Sequence, residues 1–248
     1  MASRKETFAS EFVVKLPQLE PIMRGIEEID FGIVLSRLSE LTLYMFNNTE
    51  RTNIHLNRLI IYTGFNCVGK TMETKRGFIL LFNEWILSSA FSLNRLIFEH
   101  WAATCFVEKT IRDFRNNRDE VKLAGIADKL FSGSRYPVNL PWGEKSNEKP
   151  IHINEFLGEL ERHHPETRSA YAFLCEYCHP NFLYNVEAFI ASNLPESWHN
   201  PKFLESIATV LEKQLVFLEQ ALSGINANAE AISGMCLEEY GIDLPRLL

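Results

Sequence analysis

Apolar residues recur every three or four positions along most of the chain, which is the spacing of a buried helical face. Residues 22 to 46 illustrate the pattern with Ile26, Ile29, Ile33, Leu38, Leu41 and Met45. Short runs such as RLIIYTG and NFLYNVEAFI resemble strands, but strands and helices do not alternate along the chain. The pattern therefore predicts an all-α fold.

One segment, residues 75 to 114, is predicted to form a long central helix. Its apolar residues lie almost all the way round the helix, and a helix that is apolar on most sides is buried. Further helices are expected at 119–131, 153–163, 166–178, 201–222 and 227–240. The fold class is thus a helical bundle around one long buried helix.

The length of 248 residues fits a single all-helical domain covering 1–248. We expect a flexible N-terminus over about residues 1–15. Residues 132–152 are rich in Pro, Gly and Ser, which predicts a long loop.

Composition narrows the classes of function. The net charge is −7, whereas a protein that coats nucleic acid with its whole surface is basic. The five cysteines are odd in number and scattered, so no disulfide framework is expected. There is no export signal and no membrane-spanning apolar run, which predicts a cytoplasmic protein that does not enter membranes. We expect neither a metal nor a cofactor.

The string GFNCVGKT at 64–71 matches the phosphate-binding loop pattern G-x-x-x-x-G-K-[ST]. Such a loop needs a parallel sheet and a second strand that ends in Asp, and the chain predicts neither. We expect a turn that leads into the long helix, with Thr71 or Thr74 near its cap. Nucleotide binding through this string remains a remote alternative.

The string CEYCH, from Cys175 to His179, matches the pattern for covalent haem attachment. That attachment takes place in exported proteins, and zinc would need a second pair of ligands. The preferred interpretation is that Cys175 and Cys178 are small core residues on a helix.

A polar stripe crosses the apolar central helix. Its members, which follow each other every three or four residues and so share one face, are Glu84, Ser88, Ser92, Arg95 and Glu99. Arg95 and His100 also fit the R-x4-H pattern of a class of helical ribonucleases, but residues five apart on a helix point about 140° apart. The alternative is a partly buried stripe whose charges neutralise each other.

Two motifs together suggest a family. RLIFEHW on the long helix, followed some eighty residues later by YAFLCEYCHPN, resembles a family of uncharacterised bacterial all-helical proteins, a distant branch of the HEPN superfamily. The resemblance covers residues of about 78 to 190. The matching positions are Arg95, Glu99, Tyr171, Glu176, His179, Pro180 and Asn181. Cys178 falls where the family commonly has an apolar residue, so the haem pattern is interpreted as accidental.

Active members of that superfamily resemble metal-independent ribonucleases, and many work as dimers. The resemblance therefore implies RNA as a partner, a homodimer, and a role in defence or RNA turnover. Arg95, Glu99, His179 and Asn181 are the candidate catalytic residues. His100, Tyr171 and Glu176 are secondary candidates. The alternative function is a non-catalytic helical module that binds a ligand or partner.

From the residues alone, His179 is a better proton carrier than His100, because it is predicted to lie at a helix C-terminus where the dipole favours the charged form. We expect Arg95 and Glu99 to face the end of the 166–178 helix. His179 and Asn181 should line the same pocket, with the Arg95 guanidinium within roughly 8 Å of the His179 ring.

A basic stretch follows the stripe. Arg112, Arg115 and Arg118 recur every three residues near a helix end and are candidate nucleic-acid contacts. The alternative is that they complement the helix dipole on a solvated surface.

Overall fold

The computed structural model describes residues 7–9, 14, 16–133, 149–178 and 201–242, and every regular element in these ranges is helical. A short 3-10 helix covers Pro17–Leu19 and a π-helix covers Tyr62–Gly69. The α-helices, in chain order, are α1 (Glu20–Glu28), α2 (Gly32–Asn47), α3 (Ile54–Ile61), α4 (Lys70–Asn83), α5 (Leu87–Asn117), α6 (Glu120–Ser132), α7 (Ile153–Glu161), α8 (Thr167–Glu176) and α9 (Pro201–Glu239). The predicted all-α class and the long buried central helix, α5, are confirmed.

The helices form two compact units, each made of three chain segments. The first unit comprises Met1–Asp30, Thr71–Glu99 and His164–Gly224. The second comprises Phe31–Lys70, His100–His163 and Ile225–Leu248. The expectation of one domain over 1–248 stays a prediction.

Aromatic rings fill part of the core of the first unit. Phe82 lies at the centre of one cluster, with its ring centroid 5.3 Å from that of Phe8 and 5.6 Å from that of Phe78. Phe8 is buried, and its backbone N–H donates a 2.6 Å hydrogen bond to Glu27. Residues 8 and 9 therefore contact α1 and α4. The flexible N-terminus over about residues 1–15 stays a prediction, and most of those residues lie outside the described ranges.

In the second unit, α3 packs against α2 and α6. The buried faces of these helices carry mainly leucine, isoleucine and valine. Phe106 and Phe156, with ring centroids 5.3 Å apart, join α5 to α7. Each of these helices is thus stabilised by burial of one apolar face.

The central helix is shorter than predicted. Trp85 has φ 60°, a left-handed conformation that cannot continue a right-handed helix, so α4 ends at Asn83 and α5 begins at Leu87. The predicted single helix over 75–114 is wrong in this respect. Glu84 consequently lies outside the helix that carries Arg95 and Glu99.

Two other predicted helix boundaries change. The segment 22–46 is divided after Glu28, because Ile29 has an extended backbone. The predicted helices 201–222 and 227–240 are a single helix, α9, that runs through Gly224. Leu222 and Ile225, which flank Gly224 in the sequence, are fully buried. The packing of these two residues offsets the low helix propensity of the glycine.

The phosphate-loop string does not form a turn. Tyr62–Gly69 is a π-helix that continues α3 into α4, and Thr71 is fully buried. The expected turn is therefore wrong, and so is the strand-like interpretation of RLIIYTG. Amides that take part in a helical ladder do not point into an open cradle for phosphate. The strand-like NFLYNVEAFI lies outside the described residues.

The predicted loop at 132–152 falls between α6 and α7, and residues 134–148 of it lie outside the described residues. Across the described ranges, none of the helices combines the length and apolarity that crossing a membrane requires.

Candidate functional site

Arg95 and Glu99 are paired on α5, as their spacing predicts. The Arg95 Nε lies 3.0 Å from the Glu99 Oε1, one helical turn away. Their side chains are 30% and 27% exposed. The pair is therefore partly in contact with solvent and is not sealed in the apolar core.

Tyr171 of α8 completes a hydrogen-bonded triangle with this pair. Its hydroxyl donates to the Glu99 Oε1 at 2.7 Å and accepts from the Arg95 Nη2 at 3.3 Å. Arg95 and Glu99 belong to the first motif and Tyr171 to the second, so residues more than seventy positions apart meet here. We call these three residues the Arg95 triad.

Aromatic contacts fix the tyrosine ring. The Arg95 Cζ lies 5.5 Å from the Tyr171 ring centroid, within the range of a cation–π interaction. The Phe98 ring lies 6.3 Å away from that of Tyr171, centroid to centroid. The Tyr171 ring thus packs against the Arg95 guanidinium, and the Tyr171 hydroxyl orients the Arg95 Nη2 through a hydrogen bond.

The surroundings of Arg95 and Tyr171 raise the pKa values of both side chains. Partial burial works to lower the pKa of Arg95, but the hydrogen bond with Tyr171 and the charge of Glu99 outweigh it and raise the pKa. Burial, followed by the hydrogen bond to Glu99, raises the pKa of Tyr171 above its ordinary value. Near pH 7 the triad therefore contains a cationic guanidinium and a neutral phenol.

This arrangement suits the binding of an anionic group. The hydrogen bonds within the triad use the Nε and Nη2 of Arg95, and a guanidinium has further N–H donors beyond these two bonds. Because Glu99 and Tyr171 fix the side chain, a ligand would not have to order it on binding.

The second half of the predicted pocket falls on residues 179–181. His179, Pro180 and Asn181 lie outside the described residues, and so does the expected approach of His179 to Arg95. Glu176 is the last residue of α8 and is partly buried. Arg95 and Glu99 meet α8 at Tyr171, in the middle of that helix and not at its predicted end. The pocket that they would share with His179 and Asn181 stays a prediction.

His100 has properties that do not suit proton transfer near neutral pH. Burial, with a smaller effect from the charge of Lys70, lowers the pKa of His100 to about 4. With this pKa the imidazole is neutral near pH 7, so it cannot act as a general acid there and is only a weak base.

The basic stretch at the end of α5, with Arg118 directly after the helix, is paired with carboxylates. Arg112 bonds to Glu108, and Arg118 bonds to Glu239. The Arg115 Nη2 lies 2.8 Å from the Glu238 Oε2. This pairing favours the alternative interpretation, a solvated surface at a helix end, over contacts with nucleic acid.

Sequence reasoning missed two features near the triad. The Cys175 thiol is influenced by the Tyr171 hydroxyl and by the charge of Arg95. In the sequence, this cysteine was noticed only as part of the haem-attachment pattern. Asn94, next to Arg95, is fully buried and its Nδ2 donates to Gln214, at 2.7 Å to the backbone oxygen and 2.8 Å to the Oε1. The only sign of this buried hydrogen bond in the sequence was an asparagine, Asn94, within a mainly apolar segment.

No metal centre accompanies the triad: within the described ranges, His, Cys, Asp and Glu side chains do not form a group of three or more that could hold a metal ion. Comparison of the chain with protein-family models, with curated proteins and with solved structures finds no match in any of the three.

Proposed function

We propose that the protein binds single-stranded RNA through a phosphate at Arg95 and cuts it without a metal ion, as a HEPN-like ribonuclease of defence or RNA turnover. The observation that carries the proposal is the triad itself. It joins a residue of the second motif, Tyr171, to the Arg95–Glu99 pair of the first at 2.7 and 3.3 Å. The partial exposure of Arg95 adds support, because a phosphate can reach it.

The chemistry divides between the two motifs. Arg95 binds the scissile phosphate and stabilises the charge that develops on its oxygens. Glu99 and Tyr171 position the guanidinium. His179 takes the proton from the 2′-hydroxyl as that oxygen attacks phosphorus. The bond to the 5′-oxygen breaks, and that oxygen takes up a proton from water and leaves as a 5′-hydroxyl. Asn181 is proposed to hold the substrate, and the protein is proposed to act in the cytoplasm as a homodimer.

An RNA cleavage assay in EDTA tests the proposal. The parent protein should release fragments with 2′,3′-cyclic phosphate and 5′-hydroxyl ends, while Arg95→Ala and His179→Ala should each lose this activity. His163→Ala, a change of an exposed histidine, is the matched control and should keep it. Arg95→Lys is included in case Arg95→Ala unfolds, because it keeps the positive charge beside Glu99. Cleavage that survives in folded Arg95 and His179 variants would refute the assignment.

A second candidate is a non-catalytic helical module that binds a ligand or partner. The specific observation in its favour is that Arg112, Arg115 and Arg118 all pair with carboxylates and leave little basic surface for RNA. The net charge of −7 points in the same direction. In that case the parent protein cuts no RNA, and substitutions in the triad reduce stability without a change in any activity.

A further inference from the structure

Two of the five cysteines differ from the others in exposure. Cys67, Cys105 and Cys236 are buried, and burial raises their pKa values to about 12, 11 and 12. A buried thiol with so high a pKa reacts slowly with oxidants. Cys175 and Cys178, by contrast, are both partly exposed.

The turn that follows α8 brings the backbones of these two cysteines close together. The Cys178 N–H donates a 3.0 Å hydrogen bond to the Cys175 backbone oxygen, which closes a tight turn. Such a turn places the two Cα atoms within about 7 Å, the range that a disulfide can bridge. The Cys178 Sγ lies 3.3 Å from the Leu174 backbone oxygen, so this thiol points back along the helix.

Cys175 also touches the Arg95 triad. It lies one helical turn after Tyr171, on the same face of α8, and the tyrosine hydroxyl and the charge of Arg95 both influence its thiol. Burial raises the pKa of Cys175, while Arg95 and Tyr171 act in the opposite direction. A raised thiol pKa makes the dithiol slower to react but makes its disulfide more stable towards reduction.

We propose that Cys175 and Cys178 form an oxidisable dithiol that hydroperoxides convert into a disulfide, and that this disulfide alters the Arg95 triad. In the first step one thiolate attacks a peroxide oxygen, the O–O bond breaks, and the sulfur becomes a sulfenic acid as water leaves. In the second, the other thiolate attacks that sulfur, the S–O bond breaks, and a second water leaves. Two thiols and one hydrogen peroxide thus give one disulfide and two waters.

The disulfide acts on the triad through Cys175. Its sulfur must turn towards Cys178, which removes it from the Tyr171 hydroxyl. The same movement removes the Cys178 thiol from the Leu174 oxygen. Tyr171 then has a different set of neighbours, and Arg95, which depends on its hydroxyl, is expected to shift.

Mass spectrometry of the full-length protein tests the modification. Trypsin yields the peptide of residues 169–202, which contains Cys175 and Cys178 and no other cysteine. After peroxide treatment and alkylation this peptide should be lighter by two hydrogen atoms than the free dithiol, carry no alkyl group, and recover both alkylation sites with dithiothreitol. Cys175→Ser and Cys178→Ser should each prevent the change. A peptide that stays fully alkylatable, or gains only oxygen atoms, would overturn the proposal.

Nitrogen NMR of the arginine side chains tests the link to the triad. The Arg95 Nε–H signal, assigned by its loss in Arg95→Lys, should shift on oxidation in the parent and stay unchanged in Cys178→Ser. A signal that does not move in the oxidised parent would overturn the link.

Any effect on RNA rests on the proposed function, and the two can be separated. A disulfide and a shifted Arg95 signal without RNA binding in either redox state would refute the proposed function alone. RNA binding without a disulfide would refute the dithiol alone.

Discussion

Removal of the Tyr171 hydroxyl by Tyr171→Phe should destabilise the protein by about 1–2 kcal/mol. The substitution keeps the ring, its contact with Phe98 and its position beneath the Arg95 guanidinium. It deletes only the hydroxyl, which donates to Glu99 and accepts from Arg95. The change therefore isolates the hydrogen bonds that close the triad.

The magnitude follows from the geometry. A hydrogen bond to a charged group contributes about 1.5–3 kcal/mol, and the 2.7 Å bond to Glu99 has favourable geometry for this class. The 3.3 Å contact with Arg95 is long and adds little. Because the Arg95 and Glu99 side chains are 30% and 27% exposed, water replaces part of what is lost and reduces the effect.

Urea denaturation followed by circular dichroism measures the change. Tyr44→Phe is the matched control, because the Tyr44 ring stacks on Tyr240 while its hydroxyl has no hydrogen bond among the described residues. That control should lie within about 0.5 kcal/mol of the parent. If Tyr171→Phe is as stable as Tyr44→Phe, the triad does not hold Arg95 in place and the reasoning is refuted.

Three further predictions test the fold. Histidine has a pKa near 6.5 in unfolded chains, whereas the pKa of His100 in the folded protein is about 4. The free energy of unfolding should therefore fall as the pH falls from about 6.5 to about 4. In urea denaturation at a series of pH values, His100→Gln should reduce this loss. Asn94→Ala should cost about 2–3 kcal/mol in the same assay, since it leaves the buried Gln214 Oε1 without its donor, and a neutral result would contradict this. Gly133→Ala places a Cβ 2.1 Å from a backbone oxygen and should lower the melting temperature, whereas Gly125→Ala, with open space around its Cβ, should raise it.

The sequence predicted the helical class because the apolar spacing reports directly on buried faces. It did not predict where helices stop. The break at Trp85 depends on a left-handed backbone that no sequence signal announces, since glycine or asparagine is the usual residue there. Conversely, Gly224 marked an end that burial on both sides overrides.

The candidate site was predictable only in part, for a related reason. The pairing of Arg95 with Glu99 follows from helical geometry, and the helix carries both residues regardless of the rest of the fold. The contact with Tyr171 depends on how α5 and α8 pack, and only the resemblance placed Tyr171 near it. The ion pairs of Arg115 with α9 also join helices that are distant in the sequence, so no local sequence pattern predicts them.

The most direct test of the central claim is the affinity for single-stranded RNA of two arginine variants, measured by fluorescence anisotropy at one fixed salt concentration. Arg95→Gln should weaken binding by at least about tenfold, which corresponds to about 1.4 kcal/mol. Arg112→Gln, which changes a residue already paired with Glu108, should alter it little. Equal effects of the two substitutions, or a loss confined to Arg112→Gln, would contradict the assignment of Arg95 as the phosphate-binding residue.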